Sequence, residues 1–358
     1  MTRRFPLGSA ALVILAGLVL APVAAAAPNV SVAQAVADHW TPARMAAAVS
    51  RDRAVKTLVQ TATPTALRAR ARGGDQRLNV TPLDTWKRGG ALRSAIGRLY
   101  FEMTFDGVQY GFVCSGTVVD DELRGYSTIL TAAHCIYDDA SSAFAENVMF
   151  IPNQAGSTSG TDLTCANDAL GCWIPTTGAV DPQWDAVEWP DNLAYDYGFY
   201  LVPNVGRHVA GLRAASDALE SAVHPLDIAW STRSANRSGL TFALGYPFDQ
   251  DPALMYCAEA VGTIDGIADY TNLWLPNCAL GEGASGGPWL QPEDGRMLEG
   301  DEHVFSLNSW GNDEGPGMAG PVLQDPARGI GRPHALFNAL STLATSPNAL
   351  IGTLTTWF

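Results

Sequence analysis

The chain has 358 residues, 47% of them hydrophobic, with 22 Lys and Arg against 36 Asp and Glu and a formal charge of −14 at pH 7. That length supports one large domain or two smaller ones, each with a core. The acidic balance argues against a nucleic-acid partner, and the apolar run near the start is too short for a membrane span.

Arg3 and Arg4 precede this run, Ala10–Ala21, and the small residues VAAAAP follow it to Pro28. The order predicts a secretory signal peptide over residues 1–27 and an extracellular protein. Six cysteines, at 114, 135, 165, 172, 257 and 278, suit an oxidising compartment. They allow fifteen connectivities; sequence-adjacent pairing gives Cys114–Cys135, Cys165–Cys172 and Cys257–Cys278, each closing a local loop. No C-x-x-C spacing suggests structural zinc, and no metal or cofactor is expected.

Residues 28–93 carry eleven Lys and Arg against four Asp, whereas 94–358 carry nine Arg against 32 acidic residues. A basic leader on an acidic body suggests association between the two. In TPARMAAAVSRDRAVKTLV, Thr41 suits a helix N-cap and Pro42 the first helical position. From Thr65 to Asp84 the leader becomes Arg- and Gly-rich with little apolar periodicity, as an exposed, cleavable linker does. Residues 28–93 are therefore read as a helical pro-segment, itself a partner of the body.

From Ala95 the texture changes to short β-type runs: IGRLYFEMTF, YGFVCSGTVV, YSTILTAA, NVMFIP, YGFYLV, LTFALGY, LWLPNC and HVFSLNSW. Clusters of Gly, Asn, Asp and Pro separate them, and no amphipathic helices intervene, which predicts an all-β sandwich or barrel. About 240 residues of this texture suit two barrels better than one. HALFNALSTLA predicts a terminal helix over about 333–356.

Three segments carry chemistry together: TAAHC (Thr131–Cys135), YDYGFYLV (Tyr195–Val202) and GASGGP (Gly283–Pro288). A serine hydroxyl is a poor nucleophile until a base takes its proton and an acid holds that base in the right tautomer. His134, Asp196 and Ser285 supply base, acid and nucleophile in that chain order.

This combination resembles the trypsin-like, chymotrypsin-fold serine peptidases, and most of all the bacterial secreted branch that includes the glutamyl-endopeptidase-like enzymes. The likeness covers about 95–340. It implies two antiparallel β-barrels, about 94–205 and 206–332, within a peptidase domain of 94–358. It also implies an acyl-enzyme mechanism on a protein or peptide substrate, by a monomer. The family's histidine loop is tied by a disulfide, and Cys114 in VCSGTVV matches the partner of Cys135. By the same resemblance the amides of Gly283 and Ser285 form an oxyanion hole. Ser309, Trp310 and Gly311 pair with substrate and wall the primary pocket, whose base is Ala279.

Two departures matter. Digestive members carry Asp just before the nucleophile, where it binds a freed N-terminus; this chain has Ala284. Trypsin-type enzymes carry Asp at the pocket base and glutamyl-specific ones His before Ser-Trp, where this chain has Ala279 and Asn308. A neutral pocket for apolar or small residues is the resulting expectation. His39 falls in the leader, and the other histidines outside any paired pattern. Two alternatives exist. GASGG also fits the G-x-S-x-G of α/β-hydrolase esterases, although their histidine follows the serine. A catalytically inactive binding protein on the same fold is the other.

Overall fold

The structure is a computed structural model. It describes residues 31–51, 80–121, 123–156, 164–165, 168–211, 218–230, 239–267, 270–292, 302–311, 315–324, 332–340 and 350–353. The expected signal peptide and residues 52–79 of the leader lie outside these.

Helices α1 (Val32–His39) and α2 (Pro42–Ala47) come first, followed by strands β1 (Val49–Ser50) and β2 (Thr81–Thr85). The next part of the chain forms β3 (Ile96–Phe105), β4 (Val108–Val119), β5 (Tyr126–Thr131), β6 (Tyr137–Asp138), β7 (Ala143–Phe144) and β8 (Glu146–Pro152). β9 (Cys172–Trp173), β10 (Thr177–Val180), β11 (Gly198–Pro203) and β12 (His208–Val209) complete it. Then come β13 (Leu240–Gly245), β14 (Met255–Ala260), β15 (Gly262–Ile267), β16 (Tyr270–Leu275) and β17 (Pro288–Pro292). β18 (Glu302–Leu307), β19 (Trp310–Gly311), β20 (Met318–Gly320) and β21 (Leu350–Thr353) are last.

One sheet runs β12-β9-β8-β3-β4-β5-β11-β10-β21, with β1 added beside β4. Its strands are antiparallel except β1, which runs parallel to β4. The later strands form two further antiparallel sheets, β18-β17-β13-β14-β2 and β15-β16-β20-β19. These two share one core around Cys257, Leu275, Trp289, Phe305 and Met318. Each run read as a strand from the sequence falls on one of these strands. The long β3–β4 hairpin turns on Asp106-Gly107, both at positive φ, which matches the twist of the flanking strands.

Polar bonds join the earlier strands to the later ones. Arg98 of β3 is buried; it donates to the carbonyls of Tyr246 and Pro247 and pairs with Asp251 at 2.8 Å. Residues 226–229 are extended and bond alternately to Val118–Asp120 and to Val304. All three disulfides join sequence-adjacent cysteines: Cys114–Cys135, Cys165–Cys172 and Cys257–Cys278.

Both ends of the chain differ from the sequence expectation in extent. Ser31 and Thr41 cap α1 and α2 with their hydroxyls, and Pro42 opens α2. The helix then stops at Ala47, because Val49 and Ser50 pair instead with Phe112 and Val113 on β4. Part of the leader belongs to the later sheets: β2 pairs with β14, and buried Trp86 donates its backbone N–H to Leu254. The terminal helix spans Arg332–Ala339, and Leu350–Thr353 pairs with β10 as an edge strand.

Candidate active site

β5 and β11 are antiparallel neighbours with Thr131 opposite Gly198. The chain leaving β5 and the chain entering β11 therefore meet at one end of the sheet, and His134 and Asp196 sit there. His134 lies in a single 3₁₀ turn, Ala133–Cys135, held from behind by the disulfide to Cys114 on β4. Its Nδ1 is 2.9 Å from Asp196 Oδ2, and its backbone N–H donates to Asp196 Oδ1 at 3.0 Å. Ser309 Oγ donates to Oδ2 at 2.5 Å. Asp196 is fully buried, and a carboxylate so far from water is tolerable only with such partners.

Ser285 approaches from the other half. Its loop runs into β17, with Gly283 and Gly286 at φ +88° and +82°. A Cβ on Gly286 would lie 2.1 Å from Thr131 Oγ1, 2.4 Å from the Ser115 carbonyl and 2.9 Å from the Ala132 nitrogen. Only glycine lets this loop lie flat against the strand that leads to His134. Ser115 is the bridge: its N–H donates to the Ser285 carbonyl at 2.7 Å, and its hydroxyl donates to the Gly283 carbonyl at 3.0 Å. The same hydroxyl accepts the Tyr246 N–H, while Thr131 Oγ1 donates to the Ser115 carbonyl.

Ser309, whose hydroxyl bonds to Asp196, leads into β19, Trp310–Gly311. Ser309 N–H donates to Ala319; Trp310 stands opposite Ala319 and Gly311 opposite Met318. The Trp310 indole lies 5.8 Å from that of Trp274. Ala279 neighbours this hairpin, since the Cys278 carbonyl accepts the Gly317 N–H. Ala279 is exposed and donates its N–H to Pro82 of β2 at 2.9 Å, while Leu280 beside it is buried.

Reading motifs alone named Thr131 only as part of TAAHC and Asn308 only as a pocket position, and gave Ser115 no part; the bonds all three make are tertiary. Ser115 lies inside VCSGTVV, a run singled out as a strand and for its cysteine. Among the described residues, one group has ligand atoms close enough to hold a metal: Cys114, His134 and Cys135. Both sulfurs are consumed in the disulfide. Three of the five remaining histidines make structural contacts: His39 pairs with Glu102 at 2.9 Å, and His208 and His334 stack on Trp173 and Trp230.

The antiparallel sheets, with GASGG on a loop before a strand, do not form an α/β-hydrolase. They have the all-β, chymotrypsin-like fold of serine proteases. Among solved structures the chain is similar to the thermostable serine protease AL20 from an extremophilic microorganism. There the identity is 22% and the TM-score 0.51, over 70% of this chain and 99% of that one. It is also similar to the VesB protease of Vibrio cholerae, at 17% identity and TM-score 0.42, over 68% of this chain and 64% of that one. No protein-family model matches the sequence, and no curated protein matches it.

Proposed function

We propose that the protein is a secreted serine endopeptidase that works through His134, Asp196 and Ser285. His134 Nε2 takes the Ser285 proton as Oγ attacks the scissile carbonyl carbon. The C–N bond breaks as His134 returns that proton to the leaving amine, and an acyl ester on Ser285 remains. Water, deprotonated by the same imidazole, then hydrolyses the ester. Asp196 keeps the Nδ1–H tautomer and stabilises the imidazolium, and the amides of Gly283 and Ser285 receive the oxyanion.

The observation that carries this reading is the 2.9 Å contact between His134 Nδ1 and Asp196, at a strand end against which the backbone beside Ser285 packs. Hydrolysis of casein by the secreted protein, blocked by a serine-directed phosphonate, tests it. A folded protein that leaves casein intact favours the binding-protein alternative.

Within this fold we place the chain beside the bacterial glutamyl-endopeptidase-like branch, with a neutral primary pocket. Asn308 supports the neutral pocket, since its side chain is buried and bonded to backbone and to Trp289. A cleavage profile dominated by apolar or small residues before the scissile bond is expected.

The leader is read as a pro-segment cut within residues 52–79, which include Arg68, Arg70, Arg72 and Arg77. Residues 31–51 dock on the first sheet through buried Trp40, which donates to the Asn147 carbonyl of β8, and on β6 through buried Arg51, which pairs with Asp138. Residues 81–86 remain with the body. An intact mass beginning near Pro28 in the active secreted protein would defeat this maturation.

A further inference from the structure

Ser285 is enclosed by the hydrogen bonds of one fully buried residue, Asn308. The Trp289 indole N–H can only donate, so the atom 2.8 Å from it is Asn308 Oδ1. Nδ2 consequently faces two carbonyl oxygens, of Leu244 at 2.8 Å and of Ala284 at 2.9 Å. The Asn308 backbone donates to the Gly287 carbonyl and accepts from the Gly286 N–H, both at 2.8 Å. Four of these bonds thus fall on Ala284, Gly286, Gly287 and Trp289, on both flanks of Ser285.

The bond to Ala284 has a directional consequence. In a planar trans peptide the carbonyl of Ala284 and the N–H of Ser285 point in opposite directions. Asn308 Nδ2 holds that carbonyl, together with the Gly287 N–H at 3.0 Å, and so fixes where the Ser285 N–H points. The other donor is fixed by the same logic: the Phe248 N–H holds the Glu282 carbonyl at 2.7 Å, orienting the peptide that carries the Gly283 N–H. A flipped peptide at either position would present a carbonyl oxygen to the developing negative charge, where a donor is needed. Ala284 itself is fully buried against Gly245 and carries no carboxylate for an ion pair.

We propose that Asn308 is a positioning residue that pre-forms the oxyanion hole by clamping the Ala284 carbonyl. A side-chain amide thereby replaces the ion pair that digestive relatives make at the position of Ala284. The inference rests on the serine-peptidase reading above.

The test uses the full chain and its Asn308→Asp and Trp289→Phe variants. Asn308→Asp keeps the side-chain shape but puts an oxygen against the Ala284 carbonyl. Trp289→Phe frees Asn308 Oδ1 and loosens the clamp from the other side. The readouts are kcat, KM, the affinity for a peptide aldehyde that closes to a tetrahedral oxyanion, and thermal unfolding. For Asn308→Asp, kcat should fall on the order of 10²-fold, with KM within about 3-fold of the parent and aldehyde affinity falling in parallel. Trp289→Phe should move the same quantities the same way by about 3- to 10-fold, and it decides the matter if Asn308→Asp does not fold. A folded variant with undiminished kcat and aldehyde affinity, or with a change in KM alone, overturns the role of Asn308 while leaving the peptidase reading intact. A folded parent that neither cleaves peptides nor binds the aldehyde overturns both.

Discussion

Ser309 Oγ donates at 2.5 Å to Asp196 Oδ2, the same oxygen that lies 2.9 Å from His134 Nδ1. The residue after the Asn308 clamp therefore anchors the acid, so two consecutive residues hold both ends of the proposed machinery. Ser309→Ala leaves the carboxylate one partner short in a buried place. A hydrogen bond to a charged group contributes about 1.5–3 kcal/mol, so kcat/KM should fall about tenfold or more through kcat. A loss confined to KM would assign Ser309 to substrate binding alone.

Asp196→Asn should lower kcat on the order of 10⁴-fold with little change in KM, because the amide cannot stabilise the imidazolium and favours the wrong tautomer. Steady-state kinetics on variant protein free of contaminating peptidases checks this. If only KM moves, Asp185 and Asp191 become the acids to test.

Removing the Cys114–Cys135 bridge, by replacing both cysteines with Ala, releases a loop of 21 residues around His134. A loop of that size corresponds to roughly 3 kcal/mol of stability, read as a lower midpoint in denaturant with a steeper slope, because the unlinked denatured chain exposes more surface. Non-reducing peptide maps should recover Cys114 joined to Cys135.

Trp40→Ala should detach residues 31–51 without unfolding the sheets. The indole lies in a cluster with Tyr100, Val113, Met149 and Ile151 and donates to Asn147 at 2.6 Å. Truncating a buried Trp costs about 3–5 kcal/mol, which a short docked segment cannot offset. Amide exchange should rise across 31–51 and stay low in β3 and β5. Equal exposure of both regions would make this segment part of the barrel's own fold.

Asp121→Asn should stabilise the protein at neutral pH. Burial raises the Asp121 carboxyl above its ordinary range, against hydrogen bonds from Thr128 and Leu123, and the charge of Asp120 adds to the rise. The folded state then binds the proton more tightly than the unfolded chain. The carboxylate weakens folding at neutral pH, and this effect fades as pH falls toward the unfolded Asp value of about 3.9. The variant's advantage in melting temperature should shrink along the same course; an advantage independent of pH would assign it to packing.

What the sequence made legible was local. The strand runs carry their own β-branched and aromatic residues, and the cysteine pairs close short loops. TAAHC and DYG each place one candidate site residue at the end of a strand whose identity is plain. Strands such as β17, PWLQP, and β10, TGAV, are short or bear prolines and give no period to read. β1 and β2 were hidden for another reason: two to five residues of leader become strands because β4 and β14 offer them edges. Ser115 looks like any small polar residue in sequence, and Asn308 stands out there only as a pocket position. Their bonds to Gly283, Ala284 and Trp289 span 19 to 168 positions, and only the folded chain brings those together.

The central claim is nucleophilic catalysis by Ser285, and covalent labelling of the folded protein tests it most directly. A biotinylated fluorophosphonate, followed by peptide mass spectrometry, should place one equivalent of label on Ser285. Ser285→Ala should stay folded, take no label and lose casein hydrolysis, apart from the residual rate that oxyanion stabilisation alone supports. Label on another residue, or full hydrolysis by Ser285→Ala, would contradict the account.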